Sequence, residues 1–415
     1  MTWTQLGNDM INNGTSSLLG WGNSGAISGD GTTIVVGATS ASDTVGKCYV
    51  FKYESSSWIQ KQIINGNATN DYFGTSVAVS YDGSVIAVGA PQTSPDLSDF
   101  PDFPSASSKG YVRVYKYNST TALWEPTTAT PLTDNDQDSR IFGYAIAISD
   151  NGSKLVVGAP GTPNTSVPII QPPLVGKVVF YDLTDGAPTL GFFGNYDNPN
   201  AQYQYFGSSV AMSGDGMTVV AGSKKNNVTI SAAFKYDTNQ GLWTQTTKVS
   251  NIVAHSIALS TNGNRLVIGN PYDNSNKGIA NIYTYGTSDY VYDSTLSEAT
   301  FSYYGISVAI SSDGNTIVVG STTPGTVRVV NATNPGSPTD ITSIVSPAST
   351  NVNYGIFVDV SSDGGRVAVT EGRMHNTTQG AVRVYVPPTT TTTVAPTTTA
   401  PPTSGCCSWF NCCSN

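Results

Sequence analysis

Short runs of small and β-branched residues recur along the chain, separated by polar turn residues. The stretch DYFGTSVAVSYDGSVIAVGAP, residues 71–91, shows the unit most completely. An aromatic-Gly pair opens it and an apolar run follows. An Asp-Gly turn reverses the chain, and a second apolar run ends in Gly-Ala-Pro. The turn recurs at Asp30-Gly31, Asp82-Gly83, Asn151-Gly152, Asp215-Gly216, Asn262-Gly263, Asp313-Gly314 and Asp363-Gly364, which makes seven copies. Asp-Gly and Asn-Gly accept the positive φ of tight hairpins, and strand formers flank them here. Six aromatic-Gly pairs precede the turns, at Trp21, Phe73, Phe142, Phe206, Tyr304 and Tyr354; the fifth copy has Val253-Ala254 instead.

Each hairpin leads into a third run, such as KCYVFKY, GYVRVYKY or GAVRVYV. A fourth often opens on tryptophan, at Trp3, Trp58, Trp124 and Trp243. Four short antiparallel strands in each of seven repeats predict an all-β, seven-bladed β-propeller over residues 1–386. Strands covered on both faces by neighbouring blades should be apolar nearly throughout, as SVAVS and IAVGA are. Alanines 78, 147, 211, 258 and 309 fall in the strand before the turn, which suits the crowded innermost position. The chain opens on a fourth strand and closes the repeats on a third. The N-terminal strand is therefore expected to complete the last blade and remove open sheet edges.

The repeats resemble the FG-GAP family, whose propeller repeats also build the integrin α-subunit headpiece. The match is to a short-hairpin branch, as in FGTSVAVSYDGSVIAVGAP, and covers residues 3–386. The resemblance implies an adhesion or binding scaffold rather than an enzyme. Integrin-type repeats carry a calcium loop between their first two strands. The hairpin here offers a single carboxylate, short of the six to eight oxygens calcium takes, so those sites are not carried over.

Net charge is −9 and charged residues are 11% of the chain. An acidic chain lacks the basic face that nucleic acid or an anionic membrane needs. The N-terminus shows no signal peptide. Two histidines are present, too few for a multi-histidine metal site. His255 reads as structural, His375 has no visible catalytic partner, and Lys224 and Lys225 read as a solvated loop.

Candidate binding residues lie in long segments expected on one propeller face. Asp96, Asp99, Asp102, Asp134, Asp136 and Asp138 would converge there, with Phe100 and Phe103 as exposed aromatic contacts. Clustered carboxylates repel unless a cation or a basic partner neutralises them. Calcium is the candidate cofactor, with Asp134, Asp136 and Asp138 as its candidate ligands; a solvated acidic loop is the alternative.

After Val386 the composition changes. Residues 387–404 are a Pro/Thr-rich stalk or linker. Residues 405–415 hold Cys406, Cys407, Cys412 and Cys413 around Trp409 and Phe410. Disulfides, intermolecular bridges or a hydrophobic anchor are the readings of this segment, with a metal cluster or a disordered end as alternatives. Head, stalk and foot together predict an extracellular or virion-surface module that binds a cell-surface glycan or protein and is tethered, or self-associates, through its tail. A structural head in a capsid, fibre or sheath and a glycan-active enzyme are the competing expectations.

Overall fold

A computed structural model describes residues 2–11, 20–39, 44–93, 109–134, 140–163, 175–184, 189–193, 205–224, 231–248, 253–347, 353–372 and 380–388. Its strands form seven antiparallel sheets. The first blade runs outward as Trp21–Ile27, Thr33–Ala38, Lys47–Glu54 and Ser57–Asn65. Blades two to six repeat this order, and their innermost strands begin at Ser76, Ala145, Ser209, Ser256 and Val308. The seventh blade runs Asn353–Val360, Val367–Gly372 and Ala381–Val386. Adjacent innermost strands touch all the way round, including the seventh against the first.

The hairpin between the first two strands of each blade is a four-residue loop, and its sequence signature is now physical. In blade two the Gly83 N–H donates to the Ser80 carbonyl, and Ser80 N–H donates to the Val85 carbonyl. Ser80 Oγ donates to Asp82 Oδ1 and accepts from the Val85 N–H. The same serine bonds occur at Ser28, Ser149, Ser213, Ser260, Ser311 and Ser361. Only the glycine of each Asp/Asn-Gly pair takes positive φ, between 67° and 77°. The pair therefore ends a type I turn with a left-handed glycine, and both of its residues do not enter positive φ as expected of the tightest hairpins. The turn carboxylate is committed to the turn.

Main-chain atoms next to these turns make a closed ring about the axis. Tyr81 N–H donates to Asp150 O, Asp150 N–H to Gly214 O, and Gly214 N–H to Thr261 O. Thr261 N–H donates to Ser312 O, Ser312 N–H to Ser362 O, and Ser362 N–H to Gly29 O. Asp30 N–H to Tyr81 O completes the circle, with all seven bonds between 2.8 and 3.2 Å.

At the opposite end the blades meet through glycine. A Cβ on Gly37, Gly89, Gly158, Gly269 or Gly320 would lie 1.8–2.2 Å from the carbonyl oxygen of the glycine in the next blade's aromatic-Gly pair. That is far inside van der Waals contact, so main chain touches main chain. A serine on or just before the innermost strand bonds the same carbonyl in most of these seams: Ser24 to Gly74, Ser76 to Gly143, Ser256 to Gly305 and Ser307 to Gly355, at 2.6–2.9 Å. Ser209 bonds Ala254 likewise.

The closing seam differs. Thr370 packs against Gly22, and polar bonds replace the glycine contact. Asp359 Oδ2 accepts from Ile27 N–H at 2.9 Å, and Arg366 donates to Gly31 O at 2.6 Å. The N-terminal segment then docks as the seventh blade's outer edge. Thr4–Gln5 and Met10–Ile11 both pair with Ala381–Val386. Arg383 holds Asp9 through two bonds of 3.0 and 2.8 Å, and also pairs with Glu371. Asn8 brackets the main chain of Trp58 in blade one, as Gln62 brackets Trp124 in blade two. Trp3 and Met10 are buried in the process.

Two stability experiments follow from this closure. Arg383→Ala should cost about 1–3 kcal/mol, because it frees two acidic partners at a half-buried site. Deletion of residues 1–11 should cost more, since Trp58 loses its cover; thermal unfolding checks both. Gly158→Ala should destabilise by about 1–3 kcal/mol through overpacking, while Gly336→Ala should be nearly neutral, since its nearest neighbour would lie 3.9 Å away.

Candidate functional site

The ring encloses an axis whose two ends are chemically distinct. At the turn end a small cavity of about 130 Å³ is bounded by the main-chain ring. At the aromatic-Gly end a funnel of about 210 Å³ opens, lined by the innermost strands. Aliphatic residues face the axis between the mouths, among them Val77, Val79, Ile257, Leu259, Val308 and Ile310.

The rim of the funnel is built by one position of the repeat. The residue after the second member of each aromatic-Gly pair is Asn23, Thr75, Tyr144, Ser208, His255, Ile306 and Ile356 in blades one to seven. Six of these line the funnel, and Ser208 Oγ accepts the main-chain N–H of Lys224 at 2.7 Å. The frame is therefore repeated while the side chain at this position changes. The first five blades place polar or hydrogen-bonding groups there, and the last two place isoleucines; Phe357 also lines the funnel, with its ring against Gly25 of blade one.

Two chemically unusual side chains meet at this rim. Lys224 follows the second strand of blade four, and its Nζ lies 5.7 Å from the centre of the Tyr144 ring. Protein surrounds the amine, yet the open funnel leaves it a path to water. No Asp or Glu lines the funnel among the described residues. Burial lowers the Lys224 pKa to about 8. Beside it, His255 Nδ1 donates to Ile306 O at 3.2 Å, and its ring meets Tyr272 edge-on. Burial, together with the Lys224 charge, lowers the His255 pKa to about 3 against that hydrogen bond.

The acidic loop expected to form a site has a different character where it is described. Asp134 is buried and ion-paired with Lys177, itself 1% exposed. Its carboxylate anchors the segment that leads into blade three, and does not stand exposed as the expected calcium ligand would. Asp71, the matching acid before Phe73, is also an anchor. It accepts from Asn67 and Ala68 N–H and from the Tyr111 hydroxyl. Asp96, Asp99, Phe100, Asp102, Phe103, Asp136 and Asp138 lie outside the described residues, as do Cys406, Cys407, Cys412, Cys413 and His375. The described residues contain no cluster of three metal-ligating side chains.

Sequence reasoning placed Lys224 in solvent and treated His255 as structural. The missed signal was departure from the repeat. Lys224 stands in Gly222-Ser223-Lys224, at the place of the proline of Gly89-Ala90-Pro91 and Gly158-Ala159-Pro160, and His255 stands in the one copy without an aromatic-Gly pair.

No protein-family model and no curated protein sequence matches the chain. Solved structures do. The β-propeller domain of Cps50 (Swd1) from Myceliophteria thermophila is 10% identical with a TM-score of 0.56, over 91% of this chain and 99% of that one. Hydrazine synthase from Kuenenia stuttgartiensis is 12% identical with a TM-score of 0.57, over 91% and 98%. These are likenesses of fold.

The rim pair has a pH signature. Lys224 is protonated with difficulty in the folded state, so it lowers stability fully below about pH 8, and this penalty fades as pH rises to 10.5. Lys224→Met should raise the melting temperature at pH 7 and lose that advantage by pH 10.5. His255 stays neutral when folded. Stability should therefore fall as pH drops from 6.5 towards 3, and His255→Gln should remove part of that fall.

Proposed function

We propose that this chain is a non-enzymatic binding head, displayed outside a cell or on a virion and tethered through its Pro/Thr-rich stalk and cysteine-rich end. The ligand, a cell-surface glycan or protein, is taken on the aromatic-Gly face. One observation carries this reading: within a frame repeated seven times, side-chain identity varies at the position that lines the funnel. A scaffold that only packs has no use for a polar rim whose lysine has no acidic partner among the described residues.

The remaining chemistry supports binding over turnover. The turn aspartates are consumed by their own hairpins, and Asp134 by Lys177. His255, with its pKa near 3, is poorly matched to general-base work at neutral pH. The FG-GAP resemblance points the same way, because that family is associated with adhesion and binding.

A structural role has one feature in its favour. The outermost strands expose Ile63, Leu242, Val291, Tyr292 and Val345, and Val345 is 62% exposed. Apolar side chains on outer edges suit lateral packing between heads.

Binding of the full-length chain to intact cells and to glycan and protein arrays, with calcium and with chelator, tests the first reading. Saturable binding that survives chelation is expected, because Lys177 already neutralises the described acid of the candidate calcium set. Complete absence of a ligand, with sedimentation showing large assemblies, would favour the structural head.

A further inference from the structure

We propose that the funnel holds one acidic sugar residue: its carboxylate on Lys224, its hydroxyls on the half-buried Ser24 and Ser256, and its apolar ring face against Ile306, Ile356 and Phe357. This inference rests on the binding-head reading and names that head's ligand.

Three features of the funnel select this class together. The first is charge. Lys224 is the one ionised side chain lining the funnel among the described residues, and Tyr144 lies beside it without neutralising it. A cation with no acidic partner among the described residues, held among protein atoms, lowers stability, so an anionic partner gains by arriving there. Cationic ligands are disfavoured for the same reason.

The second feature is the sign of the remaining hydrogen-bonding groups. Ser24 and Ser256 line the funnel half-buried, and each has given its hydroxyl proton to a carbonyl of the next blade; Ser76, Ser209 and Ser307 make the same bond buried in their seams. Their remaining capacity is as acceptors. They call for a ligand that brings its own O–H donors. Sulfate or phosphate alone would meet one cation and, at Ser24 and Ser256, acceptors. A polyol that also carries a carboxylate satisfies both.

The third is shape and polarity. About 210 Å³ is below the ~300–1,000 Å³ of pockets for drug-sized ligands. It takes a single ring, not a run of sugars. The sixth and seventh blades make one side of the rim apolar with Ile306 and Ile356, and Phe357 extends it towards Gly25 of blade one. Pyranose rings have an apolar face that packs on such a surface, while their hydroxyls point elsewhere.

The test is calorimetric titration of the full-length chain with the methyl glycosides of glucuronic acid, galacturonic acid and N-acetylneuraminic acid, and with neutral methyl glucoside and methyl galactoside. At least one acidic glycoside should bind, and at least about tenfold more tightly than its neutral counterpart, as expected for a charge-assisted hydrogen bond. Lys224→Gln should remove that difference and Lys224→Arg should retain most of it. Melting curves confirm that both variants are folded. Equal binding of acidic and neutral glycosides, or acidic binding untouched in Lys224→Gln, overturns the inference and leaves the binding head standing. Failure of every glycoside to bind, while the chain still binds cells, overturns it in the same way. Loss of both cell and glycoside binding removes the two readings together.

Discussion

Seven wedge-shaped sheets form a wheel only if neighbouring main chains can touch near the axis, and between successive repeats a glycine allows that contact. In five seams a Cβ would collide with the next blade's carbonyl at 1.8–2.2 Å. The innermost strands then lie close enough for serine hydroxyls to reach across the seams. At the other end, the same approach lets the turns join in a main-chain ring. Seam and ring are two ends of one constraint, and the aliphatic axis lies between them.

The wheel must also end somewhere, and its last seam is built differently. Asp359, Arg366 and Arg383 supply directional bonds where glycine packing is absent. Burial pushes the Asp359 carboxyl up to about 6 against the two N–H groups it accepts. Ionising it costs stability as pH rises from 3.8 towards 6. The closing seam thus depends on polar geometry and on an N-terminal segment that arrives from far away in sequence. The other seams depend on close packing between consecutive repeats.

Fold was readable because it rests on side chains that recur. Asp-Gly turns, aromatic-Gly pairs, alanines before the turn and the split final blade each had a visible pattern, and blade count and closure followed. The main-chain ring was illegible for the opposite reason. Its members are Gly29 with Asp30, Tyr81, Asp150, Gly214, Thr261, Ser312 and Ser362, which share no side-chain property because only N–H and C=O take part. The funnel was missed because pattern reading rewards repetition, whereas Lys224 and His255 sit where the pattern breaks. The acidic loop misled at Asp134, since spacing alone does not show that Lys177, more than forty positions later, is folded against it. The likeness to the FG-GAP family remains one of sequence motif, and the solved structures extend it as far as a propeller fold.

Hydrogen exchange resolved to single amides tests the closed wheel most directly. The N–H groups of Tyr81, Asp150, Gly214, Thr261, Ser312 and Ser362 sit beside surface turns, where amides ordinarily exchange fast. Membership in one continuous ring predicts that they exchange as slowly as the buried second strands, and at one common rate. Rapid exchange at these six positions, or rates scattered as in independent turns, would contradict the account.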